Sequence, residues 1–163
     1  MRNLLLAAAL LATAVGPVAA QDMMPKSTAP WTVVDLGASC IAINRPPAEF
    51  NAAPYNAMAF HQLKTDELPR IQAFFWPGAL TEGAAVKLQV TPAGQSTVEL
   101  AAKAVTGFQL VTVDPAPAAL LDALAIVPSV QVSAEGVTEL MLFETSAVEA
   151  VAEKMRDCVK KPA

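Results

Sequence analysis

Short apolar or alternating segments, bounded by glycine, proline and polar residues, run through most of the chain and predict β-strands. Val86, Leu88 and Val90 fall on one face of such a segment, with polar residues between them. The segment 71–76 is apolar at nearly every position, which is typical of a strand covered on both faces. Seven to nine strands are predicted in this way, within residues 31–36, 40–44, 57–63, 71–76, 86–90, 97–100, 108–113, 130–133 and 138–143.

A helical spacing of apolar residues replaces the strand pattern at two places. The first helix is predicted to begin at Asp114-Pro115, because a carboxylate can cap a helix and proline is tolerated at its first position. Pro128 is predicted to end this helix. Its apolar stripe consists of Leu120, Leu121, Leu124 and Val127.

The second helix is predicted to follow the segment 146–149, which has the spacing of a capping box. In that motif the Ser146 hydroxyl accepts a hydrogen bond from the first turn, while Glu149 reaches back to the cap. The apolar stripe behind it consists of Val148, Val151, Met155 and Cys158. The two helices and the strands together indicate an α+β fold, an antiparallel β-rich, sandwich-like domain with two short helices.

The first 20 residues have the pattern of a cleavable secretory signal peptide. Arg2 supplies a positive charge, the run 4–15 is almost wholly apolar, and small residues precede a cleavage site after Ala20. The alternative is a transmembrane anchor, but a run of about 12 apolar residues is shorter than the roughly 20 that a spanning helix needs. We therefore expect a periplasmic or secreted protein with a flexible lead-in over 21–30 and a single globular domain over 31–161.

The chain has two cysteines, Cys40 and Cys158, and exported proteins meet an oxidising compartment. We expect one disulfide between them, which would link the last helix to an N-terminal strand. A loop of this length corresponds to about 4–5 kcal/mol of stabilisation in the loop-entropy model. The alternative is a redox pair, although the C-x-x-C spacing that lowers a thiol pKa is absent.

The negative net charge of the chain argues against anionic partners. The full chain has a net charge of −4, and removal of the segment that contains Arg2 would make it −5. Nucleic acids and anionic membranes bind mainly through Lys and Arg, so neither is expected as a partner. No stretch after the signal peptide is long and apolar enough to span a membrane. The partner is expected to be an unidentified protein or small molecule.

Motifs that carry chemistry are largely missing from the sequence. His61 is the one histidine, so no cluster with metal-ligand spacing is present, and neither a metal nor a cofactor is predicted. The G-x-S-x-G elbow and the glycine-rich phosphate loops do not occur. No catalytic residue is assigned. If the chain were a small secreted hydrolase or redox enzyme, its site would have to be assembled from distant residues, for which His61, Asp66 and Ser39 are the candidates.

Three consecutive aromatic residues, Phe74, Phe75 and Trp76, form the most unusual feature of the sequence. They fit the core of a strand that is covered on both faces. If one ring is left outside the core, the same residues could form a binding patch.

The segment 75–90 resembles a pattern found in the invasion-associated locus B family of alphaproteobacterial periplasmic proteins. In that pattern Pro-Gly and a later Gly bracket the turn into a Val/Leu strand, as in Phe-Trp-Pro-Gly-Ala-Leu-Thr-Glu-Gly-Ala-Ala-Val-Lys-Leu-Gln-Val here. The segment 31–33 is similar to the family's Trp-x-Val opening, and 117–127 and 143–158 are similar to its C-terminal helices. The family's usual mid-chain cysteines are absent, and Glu-Thr-Ser at 144–146 replaces the glycine often found before the last helix.

The resemblance implies a periplasmic location and a link to host-cell invasion at the level of the organism. It supplies no catalytic residues. The expected function is therefore that of a non-enzymatic binding or accessory protein, envelope-related or host-interaction-related. A purely structural envelope protein would differ only in lacking a specific ligand.

Overall fold

The computed structural model describes residues 26–27, 31–44, 56–76, 78–138 and 140–162. The predicted signal peptide and the proline-rich segment at 45–54 lie outside the described residues. In the described part, the strands are β1 (Lys26–Ser27), β2 (Thr32–Asp35), β3 (Ser39–Ile43), β4 (Ala57–Leu63), β5 (Arg70–Phe74), β6 (Ala85–Pro92), β7 (Val98–Ala104), β8 (Gln109–Thr112), β9 (Ser129–Ala134) and β10 (Met141–Glu144). The helices are α1 (Ala118–Ile126), between β8 and β9, and α2 (Val148–Val159), after β10.

All of these strands belong to one continuous sheet with the order β1-β10-β9-β6-β7-β8-β5-β4-β3-β2. Every neighbouring pair is antiparallel except β1 and β10, which run parallel. The predicted antiparallel β-rich fold with two helices is confirmed. The strand β1 is an addition, because it lies within the segment that was expected to be a flexible lead-in.

The two edges of the sheet are close to each other in space. Ser27 lies in β1, beside β10, and Thr32 lies in β2, beside β3 at the opposite edge. Five residues of extended chain span at most about 18 Å, so the sheet must curl until its edges approach. The Trp31 indole Nε1–H donates a hydrogen bond of 3.2 Å to the carbonyl oxygen of Glu144, which joins the two edges directly.

The inner face of the curled sheet carries the main core, and both helices contribute to it. The largest fully buried side chains in this core include Phe75, Phe143, Met58, Ile71, Leu88 and Leu110. A second, smaller apolar cluster lies on the outer face of the sheet and consists of Ile43, Ala57, Ala59 and Phe74. The start of β4 and the end of β5 are therefore covered on both faces. For β5 this agrees with the nearly continuous apolar pattern of 71–76.

The helix α2 is held against the sheet by a disulfide bond and by its apolar stripe. Cys40 in β3 and Cys158 in α2 form the disulfide, with an S–S distance of 1.98 Å and Cα atoms 6.2 Å apart. Val148, Val151 and Met155 are buried along the same side of the helix. The predicted disulfide and the predicted stripe are both confirmed.

The predicted start of α1 is wrong by several residues. The helix begins at Ala118, and Pro117 occupies the cap position without a side-chain cap bond. The segment before it is held by the sheet instead. The Thr112 hydroxyl donates to the Asp114 carbonyl oxygen over 2.8 Å, and the Ala116 N–H donates to the Pro69 carbonyl oxygen over 2.7 Å.

The predicted capping box of α2 is also wrong. Ala147 occupies the cap position, and no side chain caps the helix. Thr145, two residues before Ala147, is buried and bound to the residues that follow α1. Its hydroxyl donates to the Val127 carbonyl oxygen, and its N–H donates to the Pro128 carbonyl oxygen. These contacts fix the chain one residue before Ser146, which is left exposed.

Candidate ligand-binding groove

Helix α1 is apolar around almost its whole circumference. Its nine residues, Ala-Ala-Leu-Leu-Asp-Ala-Leu-Ala-Ile, include one polar side chain, that of Asp122. A helix of this kind is usually surrounded by protein. Here only Leu120 and Leu124 are buried, and Ile126 is 81% exposed. Burial in the domain therefore does not account for the apolar character of the rest of this helix.

Helix α2 lies beside α1 and is amphipathic. Its buried stripe faces the sheet, while charged residues such as Glu149, Glu153 and Arg156 are exposed. The two helices contact each other, and α2 also contacts β2 and β3. The disulfide joins the C-terminal end of α2 to β3 and so restrains the position of this helix on the sheet.

A groove with a volume of about 410 Å³ lies between α1, α2 and the loop that joins β4 to β5. Phe60 of β4, together with Val151 and Met155 of α2, supplies buried apolar surface to it. Leu121 and Ala125 line it from α1. A volume of 300–1,000 Å³ and a mainly apolar lining are typical of small-molecule sites.

The aromatic residue of the groove, Phe60, is held in place from the sheet. Trp31 stacks on it, with ring centroids 5.3 Å apart and an interplanar angle of 19°. The indole of Trp31 is itself fixed by its hydrogen bond to the carbonyl oxygen of Glu144. Trp31 therefore contacts both β10, at the opposite edge of the sheet, and Phe60 in the groove.

The β4–β5 loop is held at the groove by Gln62. Its side-chain amide donates to the carbonyl oxygens of Asp66 and Glu67, at 2.9 and 3.1 Å. Leu68 and Pro69 follow in the loop and line the groove. Phe60 and Gln62, two positions apart in β4, point to the same face of the sheet, and both therefore line the groove.

The predicted aromatic patch is divided between three environments. Phe75 is fully buried in the main core, and Phe74 is 7% exposed in the cluster on the outer face. Trp76 is 38% exposed and packs edge to face on Phe108, with ring centroids 5.5 Å apart. The three consecutive rings therefore do not form one surface, and none of them lines the groove.

Of the residues considered for an enzyme site, Ser39 and His61 point to the outer face of the sheet, and Asp66 lies in the β4–β5 loop. None of the three lines the groove. His61 alternates with Phe60 and Gln62 and is paired across the strands with Arg70. Desolvation, and then the charge of Arg70, lower the pKa of His61 below its ordinary value, although Asp66 acts in the opposite direction. Asp66 forms an ion pair of 2.6 Å with Arg70. Within the described residues, no hydrogen bond joins His61 to Asp66 or to Ser39.

One carboxylate approaches the disulfide. An oxygen of Asp35 and the two sulfur atoms of Cys40 and Cys158 lie within 4.8 Å of one another. The sulfurs are bonded to each other, so they do not form a thiolate ligand set. Asp35 accepts a hydrogen bond from the Gly37 N–H and pairs with Lys64, and these two contacts hold the pKa of its carboxyl below the usual value.

The sequence interpretation identified Cys40 and Cys158 but missed the groove. A signal was present in the 118–126 segment, whose apolar residues are not confined to one stripe. We predicted only the stripe of Leu120, Leu121, Leu124 and Val127 from it, and the second wall of the groove comes from a helix that begins more than twenty residues later.

Comparison with protein-family models, with curated proteins and with solved structures found no match to this chain. In the part of the chain that the structure describes, no helix combines the length and the apolar character needed to cross a membrane.

Proposed function

We propose that this chain is an exported, non-enzymatic binding protein and that the groove between α1 and α2 is its ligand site. The observation that carries the proposal is that most apolar residues of α1 are not buried by the domain, although they lie beside a groove that Phe60 lines. A ligand in the groove would cover Leu121 and Ala125, which the folded domain leaves partly exposed. Removal of such surface from water is favourable by about 25 cal/mol per Å².

Export rests on the signal-peptide pattern of the first 20 residues and on the disulfide, which persists in oxidising compartments. The resemblance to the invasion-associated locus B family supports the same location and an accessory role at the envelope or towards a host. Expression of the full chain in a bacterium, followed by N-terminal sequencing of the periplasmic product, tests the location. We expect a mature N-terminus at Gln21, and retention of an uncleaved chain in the cytoplasm would contradict export.

The binding proposal is tested with N-phenyl-1-naphthylamine, a neutral apolar fluorophore. Ala152 lines the groove, whereas Ala150 lies two residues away on the exposed side of the same helix. The substitution Ala152→Phe is expected to weaken probe binding about tenfold or more, because the ring fills the groove. Ala150→Phe is the matched control and is expected to change binding less than about twofold.

A second variant, Ala125→Phe, approaches the groove from α1 and should act like Ala152→Phe. Far-UV circular dichroism and the melting temperature show whether each variant is folded. If both groove variants are folded and bind the probe as the unmodified chain does, the groove is not the site.

A further inference from the structure

Four charged side chains lie at the mouth of the groove and come from three separate elements. Glu67 belongs to the β4–β5 loop, Asp122 to α1, and Glu149 and Arg156 to α2. All four are exposed. Within the described residues, none of them takes part in an ion pair. Three carboxylates and one guanidinium group therefore line an apolar interior, which leaves an excess of negative charge among the charged groups of the groove.

We propose, building on the binding function above, that the ligand of this groove is a small organic cation, with an apolar chain or ring and an amine or quaternary ammonium group. The apolar part lies against Phe60, Leu121 and Met155. The ammonium group lies at the mouth of the groove, where it meets the carboxylates of Glu67, Asp122 and Glu149.

The size of the groove favours a small molecule as the occupant. Its volume of about 410 Å³ lies in the lower part of the range for small-molecule sites. The α1 wall is nine residues long, which corresponds to about 13 Å. The net charge, −4 for the full chain and −5 without the segment that contains Arg2, also favours a cationic ligand, because it raises the concentration of cations near the protein surface.

The test compares three compounds that share an eight-carbon chain and differ in charge: octyltrimethylammonium, 1-octanol and 1-octanesulfonate. Each compound is added to the complex of N-phenyl-1-naphthylamine with the folded, disulfide-bonded protein, and displacement of the probe is measured. We expect the cation to bind about tenfold more tightly than the anion, with the alcohol between them, since several exposed charges act together. The difference should shrink in 0.5 M salt, where the Debye length falls to about 4 Å.

Two triple variants separate local charge from net charge. The groove variant carries Glu67→Gln, Asp122→Asn and Glu149→Gln. The control carries Glu82→Gln, Asp114→Asn and Glu135→Gln, three exposed acidic positions outside the groove. Both change the net charge equally.

We expect the groove variant to lose the preference for the cation and the control to keep it. The single substitution Arg156→Gln is expected to increase that preference. If the three compounds bind equally, if none displaces the probe, or if the control also loses the preference, the cation proposal is wrong. The proposed function fails separately, when the folded Ala152→Phe and Ala125→Phe variants both bind the probe as the unmodified chain does.

Discussion

Trp31 stacks on Phe60, and the same indole donates its N–H to the carbonyl oxygen of Glu144 at the end of β10. These two contacts place one side chain between the curled edges of the sheet and the aromatic residue of the groove. The hydrogen bond and the stacking can be separated by substitution, because phenylalanine keeps an aromatic ring and loses the donor.

Trp31→Phe is expected to lower the free energy of unfolding by about 1 kcal/mol, the usual net contribution of one hydrogen bond. Trp31→Ala removes the stacking as well and is expected to cost about 3 kcal/mol, at the lower end for large aromatic deletions because Trp31 is only partly buried. Urea unfolding measures both values. Equal losses in the two variants would show that the aromatic ring at this position contributes nothing beyond the hydrogen bond.

Gly78 is expected to be intolerant of a side chain. Its φ is +59°, and a Cβ atom would lie 2.5 Å from the Gly107 carbonyl oxygen and 2.6 Å from that of Phe75. Gly83 provides the control, since its φ is +83° but a Cβ would meet nothing within 4 Å. We expect Gly78→Ala to cost about 3 kcal/mol, from backbone strain plus overpacking, and Gly83→Ala about 1–2 kcal/mol from strain alone.

Chemical denaturation of the two glycine variants distinguishes these effects. A cost for Gly78→Ala no larger than that for Gly83→Ala would mean that the turn at 105–108 moves freely away from Gly78.

Reduction of the Cys40–Cys158 disulfide is expected to lower the melting temperature markedly while most strands still form. The two cysteines are 118 residues apart, and a loop of this size corresponds to about 4–5 kcal/mol. Because α2 supplies one wall of the groove, reduction should also weaken binding of N-phenyl-1-naphthylamine. The double variant Cys40→Ser/Cys158→Ser should show the lower stability without reductant and no further change with it. An unchanged melting temperature after complete reduction would argue against this role.

His61 is expected to make the fold less stable as the pH falls. Its pKa in the folded protein lies below the unfolded value of about 6.5, mainly because of desolvation, with Arg70 acting in the same direction. Between the two pKa values the unfolded chain therefore binds more protons than the folded chain, and the free energy of unfolding decreases as the pH falls through this range. His61→Gln should reduce this dependence between pH 7.5 and 5 in thermal melts. A dependence of the same slope in both proteins would assign it to other groups.

The sequence predicted the strands well because their burial follows local alternation. In β6, Leu88 and Val90 are buried, while Lys87 and Gln89 are exposed or half-buried on the other face. The buried stripe of α2 was also predictable from local spacing, in this case the helical spacing of Val148, Val151, Met155 and Cys158. That spacing places the cysteine on the buried side of the helix, where it can form the disulfide.

The helix starts were wrong because long-range hydrogen bonds override local capping preferences. Asp114 and Ser146 both have side chains that suit a cap, but the backbone beside them is fixed by the bonds from the Ala116 N–H to the Pro69 carbonyl oxygen and from the Thr145 hydroxyl to the Val127 carbonyl oxygen. The groove could not be predicted in outline, because its walls come together only when α1, α2 and the β4–β5 loop are placed on the sheet. Even so, the sequence of α1, in which Asp122 is the one polar residue, already indicated an apolar surface that the fold does not cover.

Mapping of the amide chemical shifts during titration with N-phenyl-1-naphthylamine tests the central claim most directly. If the groove is the ligand site, the largest changes in the ¹H–¹⁵N spectrum occur at Leu121, Ala125, Val151 and Ala152, and the Trp31 indole resonance shifts with them because Trp31 stacks on Phe60. If the largest changes instead gather around Trp76 and Phe108, or the spectrum does not change at probe saturation, the account of the groove is wrong.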